Sequence, residues 1–307
     1  MALAERPVTR VAVVDLGTNS TRLLVADVAD GRLAEVDRLL AVTRLGQGVD
    51  ASRRLHPDAI ARVSDCLARY RAAADAHGAT VRVAVATSAV RDAADRDAFL
   101  ALVEREHGFV PRLLSGAEEA ELAFRGVTAG RTLAGPTLVL DVGGGSTELV
   151  VGNGRGVAFR TSLDVGCVRV SERFLHGDPP LAGELERCAA HVRAELGAHA
   201  AAMPRPVRAI GVAGTAITLA TLDLGLEEES EAVHGHVLPA AAIAAEADRL
   251  AAATHAAIAA RRGIHPQRAP VIAGGAIVVR EALAFAGADA LEVSLQDILH
   301  GAALAAV

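Results

Sequence analysis

Apolar residues in this chain follow two alternating patterns. Short, nearly unbroken runs such as Val11-Ala-Val-Val14, Leu23-Leu-Val-Ala26, Val81-Arg-Val-Ala-Val85, Leu138-Val-Leu140 and Leu149-Val-Val151 have the length and β-branched content of buried strands. Between them lie longer stretches with apolar residues every three or four positions, the period of a half-buried helix. Strands are predicted over 10–15, 22–28, 33–43, 81–85, 109–114, 137–142, 147–152, 156–163, 207–212, 270–273 and 290–294. Helices are predicted over 57–77, 93–107, 117–129, 168–175, 181–201, 215–223, 275–286 and 296–306, and within 239–261. Local signals set several ends. Asp30-Gly31 suits a tight hairpin turn, Pro57 suits a first helical position, and Gly78 suits a helix stop. Ser115 with Glu118 has the spacing of a capping box. The order is βββαβαβα, then a second similar set. This predicts an α/β protein whose plan occurs twice, with a junction where Gly130, Gly135 and Pro136 cluster. The expected domains are 1–128 and 129–307, with the last helix able to pack back on the first.

The duplication is also visible in detail. Asp15-Leu-Gly-Thr-Asn-Ser-Thr-Arg22 and Asp141-Val-Gly-Gly-Gly-Ser-Thr-Glu148 carry Asp, Gly, Ser and Thr at the same places. Each octet is flanked by apolar runs, so each reads as strand, tight turn, strand. Glycines remove Cβ atoms and let backbone N–H groups lie against an anion. An ordinary glycine-rich hairpin is the competing reading of either octet alone; two copies favour a pair of half-sites. Candidate phosphate contacts are Thr18, Asn19, Ser20 and Arg22 from the first octet, and Gly143, Gly144, Gly145 and Ser146 from the second. Arg91, at the end of the predicted strand 81–85, is a further candidate, because a guanidinium suits phosphate. Two carboxylates beside a phosphate call for a divalent cation between them, so Asp141, Glu148 and Asp15 are candidate ligands of Mg²⁺. Mn²⁺ or an additional monovalent cation are alternatives. Glu118 and Glu119 suit the first turn of a helix, and one of them can face solvent while the other faces the cleft.

Composition narrows the chemistry. The chain has 307 residues, room for about two domains. A 51% apolar content excludes a disordered chain. One Tyr, no Trp and a net charge of −6 argue against nucleic acid and against a charged membrane surface. No lysine occurs, which excludes a Walker A loop and Schiff-base catalysis. Cys66, Cys167 and Cys188 have no metal spacing and read as buried thiols. No signal-like N-terminal run and no apolar run of spanning length are read, so a soluble, cytoplasmic protein is expected. Apolar positions on the last helices (Ile277, Val278, Leu283, Ala303, Leu304, Val307) suggest a homodimer.

The two octets, together with Ala86-Thr-Ser-Ala-Val-Arg91, Ser115-Gly-Ala-Glu-Glu-Ala120, Val165-Gly-Cys-Val-Arg169 and Ala213-Gly-Thr-Ala216, resemble the exopolyphosphatase/guanosine pentaphosphate phosphohydrolase (Ppx/GppA) family, in family order. The resemblance implies the actin-like ATPase superfamily fold: two RNase H-like domains with mixed five-stranded sheets and flanking helices around an inter-domain cleft. It implies Mg²⁺-dependent release of terminal phosphate from inorganic polyphosphate or from pppGpp, a stringent-response nucleotide. It makes Glu119 the catalytic base, and Asp141 and Glu148 the metal-site carboxylates. The chain resembles the short, two-domain members, for which shorter polyphosphate is the expected substrate. Three positions depart from the family pattern: Thr18 stands where Ser is usual, Asp95 where Asn is frequent, and no Lys or Arg precedes Gly301. The competing functions are a pppGpp phosphohydrolase and a catalytically weak sensor of (p)ppGpp or polyphosphate. A sugar or acyl kinase of the same fold would need a second substrate site, and none is read.

Overall fold

The computed structural model describes residues 8–307; the leading segment, in which no signal-like run is read, lies outside the described residues. By internal contacts the chain divides into two compact units, Met1–Arg131 with Asp297–Val307, and Thr132–Gln296.

The first unit runs β1 (Thr9–Leu16), β2 (Ser20–Ala29), β3 (Arg32–Val42), α1 (Val49–Ser52), α2 (Pro57–Ala76), β4 (Val81–Ala86), α3 (Ser88–Asp92), α4 (Arg96–His107), β5 (Val110–Leu113) and α5 (Gly116–Thr128). Its sheet has the order β3-β2-β1-β4-β5. β1, β2 and β3 are antiparallel, while β4 and β5 run parallel to β1. Asp30 and Gly31 both take positive φ (49° and 70°), the turn that matches the twist of the flanking strands. Central β1 is buried along most of its length, whereas edge strand β3 has no fully buried residue. Tyr70, Val63 and Leu67 of α2 and Phe99 and Val103 of α4 form one core against the sheet with Val14, Leu23 and Val25.

The second unit contains β6 (Thr137–Val142), β7 (Thr147–Asn153), β8 (Gly156–Leu163), α6 (Cys167–Phe174), α7 (Ala182–Gly197), β9 (Arg208–Val212), α8 (Ala213–Asp223), β10 (Val237–Pro239), α9 (Ala240–Ala251), α10 (His255–Ala259), α11 (Ala269–Ala286) and β11 (Ala290–Val293). Its sheet, β10-β11-β9-β6-β7-β8, repeats the first plan and adds a strand. The expectation of two five-stranded sheets is therefore corrected: the second has six, because short β10 pairs antiparallel with β11 at the edge.

The chain ends in α12 (Ile298–Ala305), which groups with the first unit. Its Ile298, Leu299, Ala302, Ala303 and Leu304 share a core with Val11, Val13, Leu24, Ala26, Leu122 and Ala123. Each large side chain buried this way contributes roughly 1.5–3 kcal/mol. The α5–α12 crossing is close because both helices carry a glycine there. A Cβ at Gly126 would strike the Asp297 carbonyl, and one at Gly301 would strike that of Leu122.

A strand over 270–273 was the expectation from Val271-Ile272 before Gly274-Gly275; the chain is instead helical throughout α11. The glycine pair does not break the helix, because packing needs it. A Cβ at Gly274 would lie 2.6 Å from Ser171 Oγ, and one at Gly275 2.6 Å from Thr215 Oγ1. Pro266–Ala286 is consequently long and apolar enough to cross a membrane by length and composition, contrary to the reading of no such run, yet 72% of its most apolar window is buried. Ile277, Val278, Leu283, Ala303 and Leu304 are all buried within their own units, and of the six residues behind the homodimer expectation Val307 alone is exposed. Those faces are therefore already used, and the expectation loses its support.

Candidate active site

The two octets form equivalent hairpin turns. In the second unit β6 leads into Gly143–Ser146 and β7 leads out. Gly143 N–H donates to the Ser146 carbonyl at 3.0 Å; in the first unit Gly17 N–H donates to the Ser20 carbonyl at 3.1 Å. Side chains at this third octet position would crowd the accepting carbonyl, with Cβ atoms 3.2 and 2.8 Å away, which explains the shared glycine.

The segment after the third strand of each unit orients that unit's turn. Cys167 N–H donates to the Gly143 carbonyl (2.9 Å), and Val168 and Arg169 donate to that of Gly144 (2.8 and 3.1 Å). These are the otherwise unsatisfied amides of the α6 N-terminus. Buried Arg169 adds Nε to the Gly145 carbonyl at 2.7 Å. The carbonyls of the glycine turn are thus drawn to one side. Among the described residues no backbone carbonyl accepts from the Gly144 or Gly145 amides. Gly166 permits the approach, since a Cβ there would meet the Gly144 backbone at 2.5 Å. The first turn is held likewise: Thr43 and Arg44 donate to the Asn19 carbonyl (3.1 and 2.9 Å), and Gly46 to that of Thr18 (2.8 Å). Thr21 and Thr147, both at octet position seven, tie the hairpins to Thr43 Oγ1 (2.8 Å) and to the Val165 carbonyl.

At octet position eight the two units differ, while position one is Asp in both. Asp141 and Glu148 are directly opposed in the β6–β7 register, so both carboxylates project from the same face. Both are buried, Glu148 to 1% exposure, and Glu148 Oε1 accepts from Ser162 Oγ at 2.6 Å. In the first unit Asp15 opposes Arg22 in the same way. Arg22 Nε and Nη2 donate to a single oxygen, Asp15 Oδ2, at 3.0 and 2.7 Å, and Nη1 donates to Asp297 Oδ2. Asp15 Oδ1 and Asn19 Nδ2 are buried without a hydrogen-bond partner. Burial raises the Asp15 carboxyl from its ordinary value, and Arg22 only partly offsets this.

Two residues expected at the site have partners of their own here. Arg22, expected among the phosphate contacts, spends its guanidinium on two buried carboxylates. Asp15, expected as a third metal ligand, has one oxygen committed to Arg22. Among the described residues no group of three or more His, Cys, Asp or Glu side chains is placed to hold a metal. The opposed pair Asp141–Glu148 does fit Mg²⁺, which binds through one or two carboxylates and completes its shell with water and substrate oxygens.

α5 supplies the remaining acid. Ser115 caps it, and Glu118 is consumed in the capping box, accepting from the Ser115 amide at 2.8 Å. Glu119, one residue on, points elsewhere and is 7% exposed. Arg91 Nη1 bridges Glu119 Oε2 (3.0 Å) and the Leu114 carbonyl (2.9 Å). Arg91 sits on α3, a short helix the sequence reading did not separate from the strand end. Thr18 and Asn19 are buried and Ser20 half-buried in the first turn, and Ser146 is buried in the second.

A model of the Ppx/GppA phosphatase family matches residues 24–305. The chain belongs to the Ppx/GppA phosphatase family. It is 43% identical to Exopolyphosphatase 2 of Mycobacterium tuberculosis, over 96% of this chain and 98% of that protein. Among solved structures, an exopolyphosphatase-like protein superposes with a TM-score of 0.93 at 34% identity, covering 97% of both chains. The Aquifex aeolicus family member superposes with a TM-score of 0.82 at 31% identity, again covering 97% of both. The chain is thus an enzyme of the hydrolase class, and its two mixed sheets have the fold of that family. Three residues that brace the two turns were not singled out in the sequence reading: Asp297 accepts from Arg22, His300 accepts from the Asp297 amide, and Arg169 donates to the Gly145 carbonyl. Asp297 and His300 had a signal, the spacing of a capping box, but nothing in the sequence pairs Asp297 with Arg22.

Proposed function

We propose that this enzyme releases terminal phosphate from inorganic polyphosphate by direct attack of water. The observation that carries the reading is the opposed carboxylate pair Asp141–Glu148 beside a glycine turn whose carbonyls are tied away. The similarity to Exopolyphosphatase 2 of Mycobacterium tuberculosis supports the choice of substrate. Asp141 and Glu148 would hold Mg²⁺, which supplies charge neutralisation to the phosphoryl oxygens. The Gly144 and Gly145 amides and Ser146 Oγ of the second turn are the donors to the terminal phosphate; Thr18, Asn19 and Ser20 are the corresponding phosphate donors within the first unit. Glu119 is the general base: it accepts a proton from the attacking water as the new P–O bond forms and the bridging P–O bond breaks. The products are inorganic phosphate and a chain one unit shorter. Arg91 orients the Glu119 carboxylate through its ion pair. No protein nucleophile is required, since in-line displacement at phosphorus depends mainly on positioning and charge.

Colorimetric phosphate release from polyphosphate, with and without Mg²⁺, tests the proposal directly. Release that needs Mg²⁺ and exceeds that from pppGpp is expected; release from pppGpp alone would move the assignment to the nucleotide. Initial rates on short and long chains test the expected preference for short ones, and a marked long-chain preference would refute it. Glu119→Gln should retain the fold and lose about 10²–10⁴-fold in rate; an unchanged rate removes Glu119 from the mechanism.

A further inference from the structure

Arg22 grips Asp15 in an unusual way. A guanidinium facing a carboxylate commonly forms two parallel hydrogen bonds, one to each oxygen. Here both prongs that reach Asp15 fall on Oδ2 (3.0 and 2.7 Å), and Oδ1 is buried with no partner. The remaining prong, Nη1, goes to Asp297 Oδ2.

Asp297 is itself firmly held. It is 1% exposed and forms the N-cap of α12, its Oδ1 accepting from the Leu299 amide at 3.0 Å. Its own amide donates to His300 Nδ1 at 3.1 Å, so His300 Nε2 carries the hydrogen offered to Glu35 Oε1 at 2.7 Å. Arg38 Nη2 adds a weaker contact to Asp297 Oδ2 at 3.4 Å. Buried His300 therefore fixes the cap from one side, and β3 supports it through Glu35 and Arg38. A buried, unsatisfied carboxylate oxygen is costly, and Arg22 could relieve it by rotating so that one prong reaches each Asp15 oxygen. The bond to Asp297 opposes that rotation.

We infer that Asp297 is a positioning residue of the proposed reaction: it shares Arg22 with Asp15 and so keeps Asp15 Oδ1 available to a ligand in the first hairpin turn. The inference rests on the proposed phosphohydrolase function. It assigns the C-terminal helix a part in the site besides covering a sheet, and makes Arg22 a clamp rather than a phosphate contact. The ligand chemistry suited to Oδ1 is a hydrogen-bond donor or a cation's water shell, since a bare phosphate oxygen would be repelled.

The test compares Asp297→Asn with Asp297→Ala. Asparagine caps a helix about as well as aspartate, whereas alanine does not. Both variants lose the charge that holds Nη1. Both should lose about 10²-fold in kcat on polyphosphate, the scale of a small misplacement in a site, with KM little changed, while Asp297→Ala melts at the lower temperature. Activity losses that follow melting temperature would overturn the inference. The double variant Asp297→Asn with Arg22→Gln should be no slower than Arg22→Gln alone; additive losses would also overturn it. A crystal structure of Asp297→Asn should show Arg22 closed on both Asp15 oxygens. An unmoved Arg22 overturns the clamp whatever the wild-type enzyme does with polyphosphate. A wild-type enzyme that releases no phosphate overturns the proposed function and the catalytic role of Asp297, leaving the crystal structure to decide the clamp.

Discussion

The two hairpins share a backbone and differ in their charges. Both close with the same hydrogen bond from octet position three to position six, and in both a threonine at position seven ties the turn to the segment after the third strand. Position eight separates them. In the first hairpin it is Arg22, and the opposed aspartate is neutralised within the unit. In the second it is Glu148, and the opposed aspartate faces a second buried carboxylate. The first hairpin therefore carries its own counter-charge, with one Asp15 oxygen left over, whereas the second sets two carboxylates opposite each other. One backbone thus yields a self-contained ion pair in one copy and a candidate metal seat in the other, by a change of charge at a single register position.

Several experiments probe that contrast. The largest effect is expected from Glu148→Arg, which gives the second hairpin the charge pattern of the first. Mg²⁺-dependent phosphate release should fall to background, and retention of Mg²⁺ dependence would show that this pair does not hold the cation. Next, Arg22→Gln leaves Asp15 and Asp297 buried without their shared cation. A loss of roughly 3–5 kcal/mol in unfolding free energy is expected from denaturant melts; a loss under about 1 kcal/mol would place the ion pair among weak surface contacts. Gly126→Ala puts a Cβ into the Asp297 carbonyl and should cost about 1–3 kcal/mol, separating α12 docking from the charges at its cap. A smaller effect of opposite sign is expected of Glu148→Gln. With a chelator present, relief of like-charge repulsion should stabilise the protein by roughly 0.5–2 kcal/mol, whereas added Mg²⁺ should raise the melting temperature of the wild type only.

The smallest effect concerns acid stability. Glu35 is held below its ordinary value chiefly by the His300 hydrogen bond. Burial pushes Asp297 upward, but Arg22, His300 and Arg38 outweigh it and leave Asp297 depressed. Carboxylates with depressed folded values stabilise the fold above their unfolded values near pH 4 and lose that contribution as pH falls through the folded values. The fall in stability below about pH 4 should be shallower in Asp297→Asn than in the wild type. Equal slopes in acid denaturation would show that Asp297 does not titrate with unfolding.

Much of this was legible in advance. Every strand but β10, the Asp30-Gly31 turn and the capping box at Ser115 and Glu118 follow from local signals and appear in the structure. The octets identified both hairpins because the signal lies within a few consecutive residues. The failures have a common physical origin. Gly274-Gly275 suggested a strand before a break, because the reason for those glycines lies in Ser171 and Thr215 on other helices. Edge strand β10 was missed because three residues carry too little pattern. The pairing of Arg22 with Asp297 was not read because Asp297 stands at the other end of the chain.

Local sequence accounts for the duplicated α/β plan, the two turns and the residue types available at each. These depend on backbone freedom, hydrophobic period and capping, which act over a few residues. Which charges meet was settled by tertiary structure. Register placed Glu148 opposite Asp141 and Arg22 opposite Asp15, and docking of α12 brought Asp297 to Arg22. Side-chain electrostatics acts through space over a few ångströms, and separation along the chain does not encode that distance.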